Sequence, residues 1–296
     1  MSARKGRAGT LLRRAAVLFA MAISFFPVFW LLSTSFKPYE EWASSPPHWL
    51  PQNPTLQNYR IVFAPESARR FAAEQAGSLD YKVSESALNA FANSAIIASS
   101  ATVLSVLFGL MAAYAMSRLR AGGAGFGFQL LTVRMFPPIA VVVPMVVLFA
   151  ALKLTDTHLG LILAYTAFTL PFSVWMIRSF LDEVPEEIEQ AARVHGMGRL
   201  EAFVLVTLPL MRGGILATAL FVFILNWSEF LLALTLTSGR VVTVTLQVAN
   251  YVSASSGKLY GVQAAMGAIS TAPVILFGFL IQRHMVRGMT FGAVKR

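Results

Sequence analysis

The chain has no cysteine. It therefore holds no disulfide framework and no thiolate metal site. Histidine is nearly as scarce: His48, His158, His195 and His284 are the whole set, and no two form an H-x-x-x-H pair. No G-x-x-x-x-G-K-[ST] phosphate loop occurs, so the chain is not itself an ATPase. G-x-S-x-G and H-E-x-x-H are missing too. His158 falls at a turn and His284 at the end of an apolar run, poor positions for the base of a membrane-embedded enzyme. No internal repeat or low-complexity tract is visible. Charge is thin, at 13% of the 296 residues.

What fills the chain instead is apolar. Hydrophobic residues make up 56% and mean hydropathy is +0.63, which points to an all-α polytopic membrane protein rather than a soluble domain. Residues 15–36 are uncharged and long enough to cross a bilayer, which takes about 20 residues. A secretory signal has an apolar core of only about 7–15 residues, so this run is expected to stay as the first span, behind a cytoplasmic segment at 1–14. Residues 37–86 are polar and proline-rich and are placed outside; the purpose of the helical-looking stretch 64–85 is not readable. Further spans are expected at 87–117, 128–152, 159–177, 209–236 and 261–282, giving six in all, with a basic tail at 283–296. Prolines 137, 138, 144, 171 and 209 lie in or beside spans and are expected to kink them.

The net charge of +10 follows this layout. Arg4, Lys5, Arg7, Arg13, Arg14, Arg118, Arg120, Arg178, Arg193, Arg199, Arg212, Arg283, Arg287, Lys295 and Arg296 fall on one side, against Lys37, Arg60, Arg69, Arg70, Lys82, Lys153, Arg240 and Lys258 on the other, most of these in one long loop where acids balance them; the positive-inside rule makes the first side cytoplasmic. Both termini are then inside, and no nucleic acid is needed to explain the basic balance.

The longest polar interruption in the second half is the loop at 182–208. Pro185 suits the first position of a helix, and Glu186 and Glu187 suit the positive end of its dipole. Ile188, Ala191, Ala192 and His195 recur at helical spacing on one face, and Gly196 and Gly198 turn the chain. A short helix with small residues on one face is shaped to enter a groove in another protein.

This loop resembles the signature of the inner-membrane permease subunits of binding-protein-dependent ABC importers, a pattern of E-A-A, three residues, G, then about a dozen residues to L-P. Gln190, Ala191, Ala192, Gly196, Phe203, Val206, Leu208 and Pro209 fall in register. Gln190 stands where Glu is usual, with Glu189 beside it, and His195 stands where Asp is usual. SFKPYEEW, PHWLPQNPTLQNYRIVF, NWSEF and MVRGMTFGAVKR extend the resemblance over nearly the whole chain, toward the maltose-type, carbohydrate-uptake branch.

The resemblance implies a type I ABC importer transmembrane fold in a bacterial inner membrane, with a permease core at 87–282. It implies that Glu189, Gln190, Ala191, Ala192, His195 and Gly196 couple to an ATPase. It also implies the partners: a second permease subunit forming a heterodimer, two cytoplasmic ATPase subunits that bind ATP and Mg, an external solute-binding protein, and membrane lipid. This chain itself is expected to need no cofactor or metal and to perform no catalysis. Asn226, Trp227, Glu229 and Phe230 combine an amide, aromatics and an acid, groups that bind sugars, and with Arg134 they form a candidate substrate path. Helix packing explains the same residues equally well. An ion-driven secondary transporter, or an ABC importer for a non-sugar solute, are the alternative readings; the former usually shows an internal repeat and buried acids.

Overall fold

The computed structural model describes residues 2–42, 44–64, 66, 70, 86–123, 125–135, 137–253 and 257–289. Most of the stretch 64–85, Ser78 within it, and the tail from residue 290, with Lys295, lie outside the described residues. The described chain is almost wholly helical: α1 (Ser2–Ser35), α2 (Gln57–Phe63), α3 (Ala87–Arg118), α4 (Phe126–Met135), α5 (Pro138–Ala151), α6 (His158–Asp182), α7 (Glu186–Val194), α8 (Arg199–Leu210), α9 (Arg212–Trp227), α10 (Leu231–Leu236), α11 (Val244–Asn250) and α12 (Tyr260–Met289). The one departure from an all-α chain among these residues is an antiparallel pair of two-residue strands, β1 (Val252–Ser253) and β2 (Gly257–Lys258).

Four apolar runs are long enough to span a bilayer in one piece: Leu12–Ser35, Ala87–Arg118, His158–Asp182 and Tyr260–Leu280. The expected third span is not continuous. It forms α4 and α5, each too short to cross alone, with Pro137 preceding α5 and Pro138 in its first turn, where the missing N–H costs nothing. The expected fifth span is bent: α8 meets α9 at 75°, and α9 stops at Trp227, before α10 resumes at Leu231.

The chain forms two compact units, residues 1–87 with 247–271 and residues 88–246 with 272–296. In the first, the SFKPYEEW motif closes the end of α1. Lys37 is 2% exposed, donates to the His48 carbonyl at 2.5 Å and lies 4.1 Å from the Trp30 ring centroid. Burial lowers its pKa, with Glu41 acting in the opposite direction. Glu41 accepts the backbone N–H groups of Gln52 and Asn53. Asn58 donates to the carbonyls of Ser35 and Lys37, both at 2.9 Å. Gly261 is held against this knot, since a Cβ there would lie 2.3 Å from Trp42 Nε1.

In the second unit α3 and α6 approach closely. A Cβ on Gly109 would sit 2.7 Å from the Ser173 Cβ, and Ser105 and Thr169 exchange a 2.7 Å hydrogen bond. In lipid, apolar surface gains little by moving from tails to protein, so such small-residue contacts and buried hydrogen bonds hold spans together. One core cluster joins Ile97, Ala101, Phe149, Leu161, Tyr165, Leu232 and Leu236. A second joins Ala113, Ile177, Leu181 and Met211 beneath the 182–208 loop.

The turn between α5 and α6 is tied to the segment after α10. Asp156 accepts from Ser238 Oγ at 2.8 Å and from the backbone N–H groups of Arg240 and Val241. Burial pushes its carboxyl upward, but the hydrogen bonds from Val241, Ser238 and Arg240 outweigh that and hold it below the usual carboxylate range.

Candidate functional site: the helical loop between α6 and α9

Pro185 proves to be the N-cap rather than the first helical residue, and α7 starts one residue later with Glu186, Glu187 and Glu189 all in its first turn. Those acids sit where the helix dipole favours them. The helix ends as the glycine spacing requires. Gly196 has φ +96 and its N–H reaches Arg193 O, while Met197 N–H reaches Ala192 O. This pair of bonds is a Schellman stop, which needs a residue in the left-handed region at the Gly196 position. Gly198 is extended and caps α8, and its N–H is accepted by the Glu201 carboxylate at 3.2 Å.

α7 has two working faces. Glu186, Glu189, Gln190 and Arg193, at i, i+3, i+4 and i+7, line a cavity of about 250 Å³ with Tyr114, Arg118 and Arg199. Glu189 is 7% exposed. Its carboxylate accepts the Tyr114 hydroxyl at 2.6 Å and the Thr207 hydroxyl at 3.3 Å, and lies 3.4 Å from Arg118 Nε. The Arg118 contact is an ion pair of poor hydrogen-bond geometry, since its Nε finds no acceptor. The same guanidinium donates to the carbonyls of Leu181 at 3.1 Å and Val184 at 2.6 Å. Arg118, at the last turn of α3, thus binds carbonyls at the end of α6 and in the link to α7.

The other face looks away from the chain. Ile188 is 39% exposed, Val194 86% and, on α8, Leu200 73%. Ala191 and His195 are exposed beside them. Ile188, Val194 and Leu200 are thus apolar side chains left uncovered on an otherwise polar loop. The expected docking residues therefore divide. Ala191, His195 and Gly196 lie exposed, Ala192 is partly covered, Gln190 borders the cavity, and Glu189 is turned inward. The sequence reading missed Tyr114, Arg118 and Thr207, which lie 75, 71 and 18 positions from Glu189. Val194 and Leu200 are legible in the sequence as apolar residues in a polar loop.

α8 carries a π-helical turn at Phe203–Thr207, just before Leu208 and Pro209. The turn places the Thr207 hydroxyl against Glu189 and tilts Phe203 against Tyr114, ring centroids 4.3 Å apart. The loop is thereby fastened to α3 at both of its helices.

The second candidate group sits at the end of α9. Asn226 is 2% exposed, and its Nδ2 donates to Thr102 Oγ1 at 3.1 Å. Trp227 is 6% exposed, stacked on Phe223 and tilted against Phe91. Glu229 accepts the Leu232 N–H at 3.1 Å, the work of a helix cap for α10, and its carbonyl accepts from Thr245 Oγ1 at 2.7 Å. Phe230 is 39% exposed. Arg134 belongs to α4, and its side chain is outside the described set.

Whole and broken apolar helices, with a helical loop fastened to them within the chain, define a polytopic membrane-protein fold. Residues 105–291 match the model of the binding-protein-dependent transport system inner membrane component, and the chain belongs to that family. It is 35% identical to the trehalose transport system permease protein SugB of Mycobacterium tuberculosis, covering 95% of this chain and 96% of the relative. It is 31% identical to the trehalose/maltose transport system permease protein MalG of Thermococcus litoralis, covering 96% of each. Its fold is shared by a chain of a bacterial ABC transporter involved in the import of the acidic polysaccharide alginate, with a TM-score of 0.74 over 95% of this chain and 97% of that one, at 19% identity. This is the type I importer transmembrane fold.

Proposed function

We propose that the chain is a permease subunit of an ATP-driven importer that takes up a sugar delivered by a solute-binding protein. It pairs with a second permease, and two cytoplasmic ATPase subunits supply ATP and Mg chemistry that this chain does not perform. The observation that carries this reading is the exposure of apolar Ile188, Val194 and Leu200 on a loop whose Glu189 is turned inward and bonded to Tyr114 of α3. Motion of a partner gripping the outer face passes into the span through that bond. The sugar class rests on the relatives named for trehalose and maltose. In this reading Glu229 and Phe230 reach the surface of the substrate path, and Asn226 and Trp227 stand behind them. Both termini, with the α7 loop, are cytoplasmic.

The test is co-purification and uptake. Wild-type complex should bring down an ATPase, while Val194→Asp together with Leu200→Asp should lose it with the spans still inserted. A chain that purifies alone and transports on an ion gradient would overturn the reading. Thermal-shift screening of the associated binding protein should find a disaccharide, oligosaccharide or polyol; a response only to amino acids or ions would refute the sugar class. Because the chain lacks cysteine, single-cysteine reporters have no background. A cysteine at 123 should resist labelling from outside sealed cells, and one at 78 should accept it.

A further inference from the structure

We propose that the cavity behind α7 is a binding site for a phosphate-type oxyanion that braces the docking loop against α3. Four guanidinium groups (Arg118, Arg120, Arg193 and Arg199) and two carboxylates (Glu186 and Glu189) line it, leaving a net charge of +2. The two carboxylates are already committed to one arginine. Arg118 lies 3.4 Å from Glu189 and 3.9 Å from Glu186. Among the described residues, Arg120, Arg193 and Arg199 have no carboxylate within 4.0 Å and no side-chain hydrogen bond. These three guanidinium groups are exposed and share the lining of one concavity, so their positive potentials add there and favour an anion.

Two details of the wall point the same way. Arg118 Nε is buried, lies 3.4 Å from the Glu189 carboxylate and makes no hydrogen bond of good geometry. Arg120 has φ +54 at the stop of α3, with the Ala121 N–H on Ala115 O, a position where glycine or asparagine is the usual choice. The backbone there sets the Arg120 side chain among the residues that line the cavity.

The size and chemistry restrict the ligand. A volume of about 250 Å³ is below the usual range for a drug-sized molecule and suits a small anion or a headgroup. Planar guanidinium forks match the tetrahedral oxygens of phosphate, in pairs and with charge assistance. Two sources supply that chemistry. α3 is a membrane-spanning helix that ends at Arg118, so acidic phospholipid headgroups lie at the depth of the cavity. Free phosphate or a phosphate ester in the aqueous phase is the other source. Either would link Arg120 beside α3, Arg193 on α7 and Arg199 on α8, adding to the contacts that Glu189 and Tyr114 already make among these elements. The bracing consequence rests on the proposed coupling role; the binding itself does not.

The full chain is reconstituted in phosphatidylcholine nanodiscs, with and without phosphatidylglycerol, and assayed by native mass spectrometry and by titration with inorganic phosphate. Arg193→Gln with Arg199→Gln removes two of the forks and leaves the Glu189 contacts intact. Arg212→Gln removes one cytoplasmic charge elsewhere and serves as control. Wild type and control should retain phosphatidylglycerol, or bind phosphate, at least about tenfold more tightly than the double variant. Retention of lipid alone assigns the headgroup; binding in the phosphate arm assigns a soluble ligand. Equal binding by wild type and double variant in both arms overturns the site. So does the absence of binding in both arms with only ATPase retention falling in the double variant, which would give these arginines to an acidic side chain of the partner. A chain that binds the anion yet brings down no ATPase would sink the coupling reading and leave the site standing.

Discussion

The Tyr114 hydroxyl donates to the Glu189 carboxylate at 2.6 Å, joining the last turns of α3 to the first turn of α7 across 75 positions of sequence. A hydrogen bond to a charged acceptor contributes about 1.5–3 kcal/mol. Tyr114→Phe is therefore expected to lower stability by about 1.5 kcal/mol while keeping the tilted ring contact with Phe203. It should also weaken the stimulation of ATP hydrolysis by loaded binding protein, with the ATPase still bound. Full stimulation in Tyr114→Phe would mean that the loop needs no rigid tie to α3.

Gly196 needs its φ of +96 but has open space where a Cβ would go. The cost of replacement within the chain is then conformational, about 1–2 kcal/mol for an ordinary residue in the left-handed region. Asparagine adopts that region more readily than valine. Uptake should rank glycine above asparagine above aspartate above valine. If asparagine and valine are equally inactive, the docked partner excludes any side chain there and the backbone argument is secondary.

Asp156 predicts a response to acid. Its carboxyl titrates below the ordinary carboxylate value because Val241, Ser238 and Arg240 donate to it, against the upward push of burial. A depressed folded value means that the unfolded chain binds the proton more readily. The tie is thus complete above the ordinary pKa of about 3.9 and is lost as pH falls through the lowered one. Hydrogen-exchange protection of the Arg240 and Val241 amides should fall in that window, after correction for intrinsic rates. Asp156→Asn tolerates the φ of +55 but removes the charge, and should reduce protection at neutral pH by about fivefold, near 1 kcal/mol. Unchanged protection in Asp156→Asn would show that the segment is held by other contacts.

Glu229 is tested by separating its cap from its charge. Leu232 is 1% exposed, so its N–H has no route to water once the carboxylate is removed. Glu229→Ala should cost about 1 kcal/mol and lower the thermal midpoint, and Glu229→Ser, a good cap, should restore most of it. If Glu229→Ser regains stability and uptake together, capping accounts for the residue. Uptake still lost at a restored midpoint would assign the carboxylate to the substrate path.

Much of this protein follows from its sequence alone. Residues that must leave water in long uncharged runs define the spans at Leu12–Ser35, Ala87–Arg118, His158–Asp182 and Tyr260–Leu280, because a bilayer leaves an apolar helix few alternatives. Gly196 announced the end of α7, because only a left-handed residue closes a Schellman stop. The pattern from Gln190 to Pro209 announced the family for the same local reason. Tertiary structure alone decided the rest. Helical spacing put Glu189 and Gln190 on one face of α7, but it could not say that this face is turned toward α3, because Tyr114 and Arg118 are brought there by the packing of Ala113, Ile177, Leu181 and Met211. Nor could hydropathy divide the third span into α4 and α5, or assign Glu229 to the cap of α10. Those outcomes depend on which backbone groups find partners once the helices meet, and distance along the chain does not encode that.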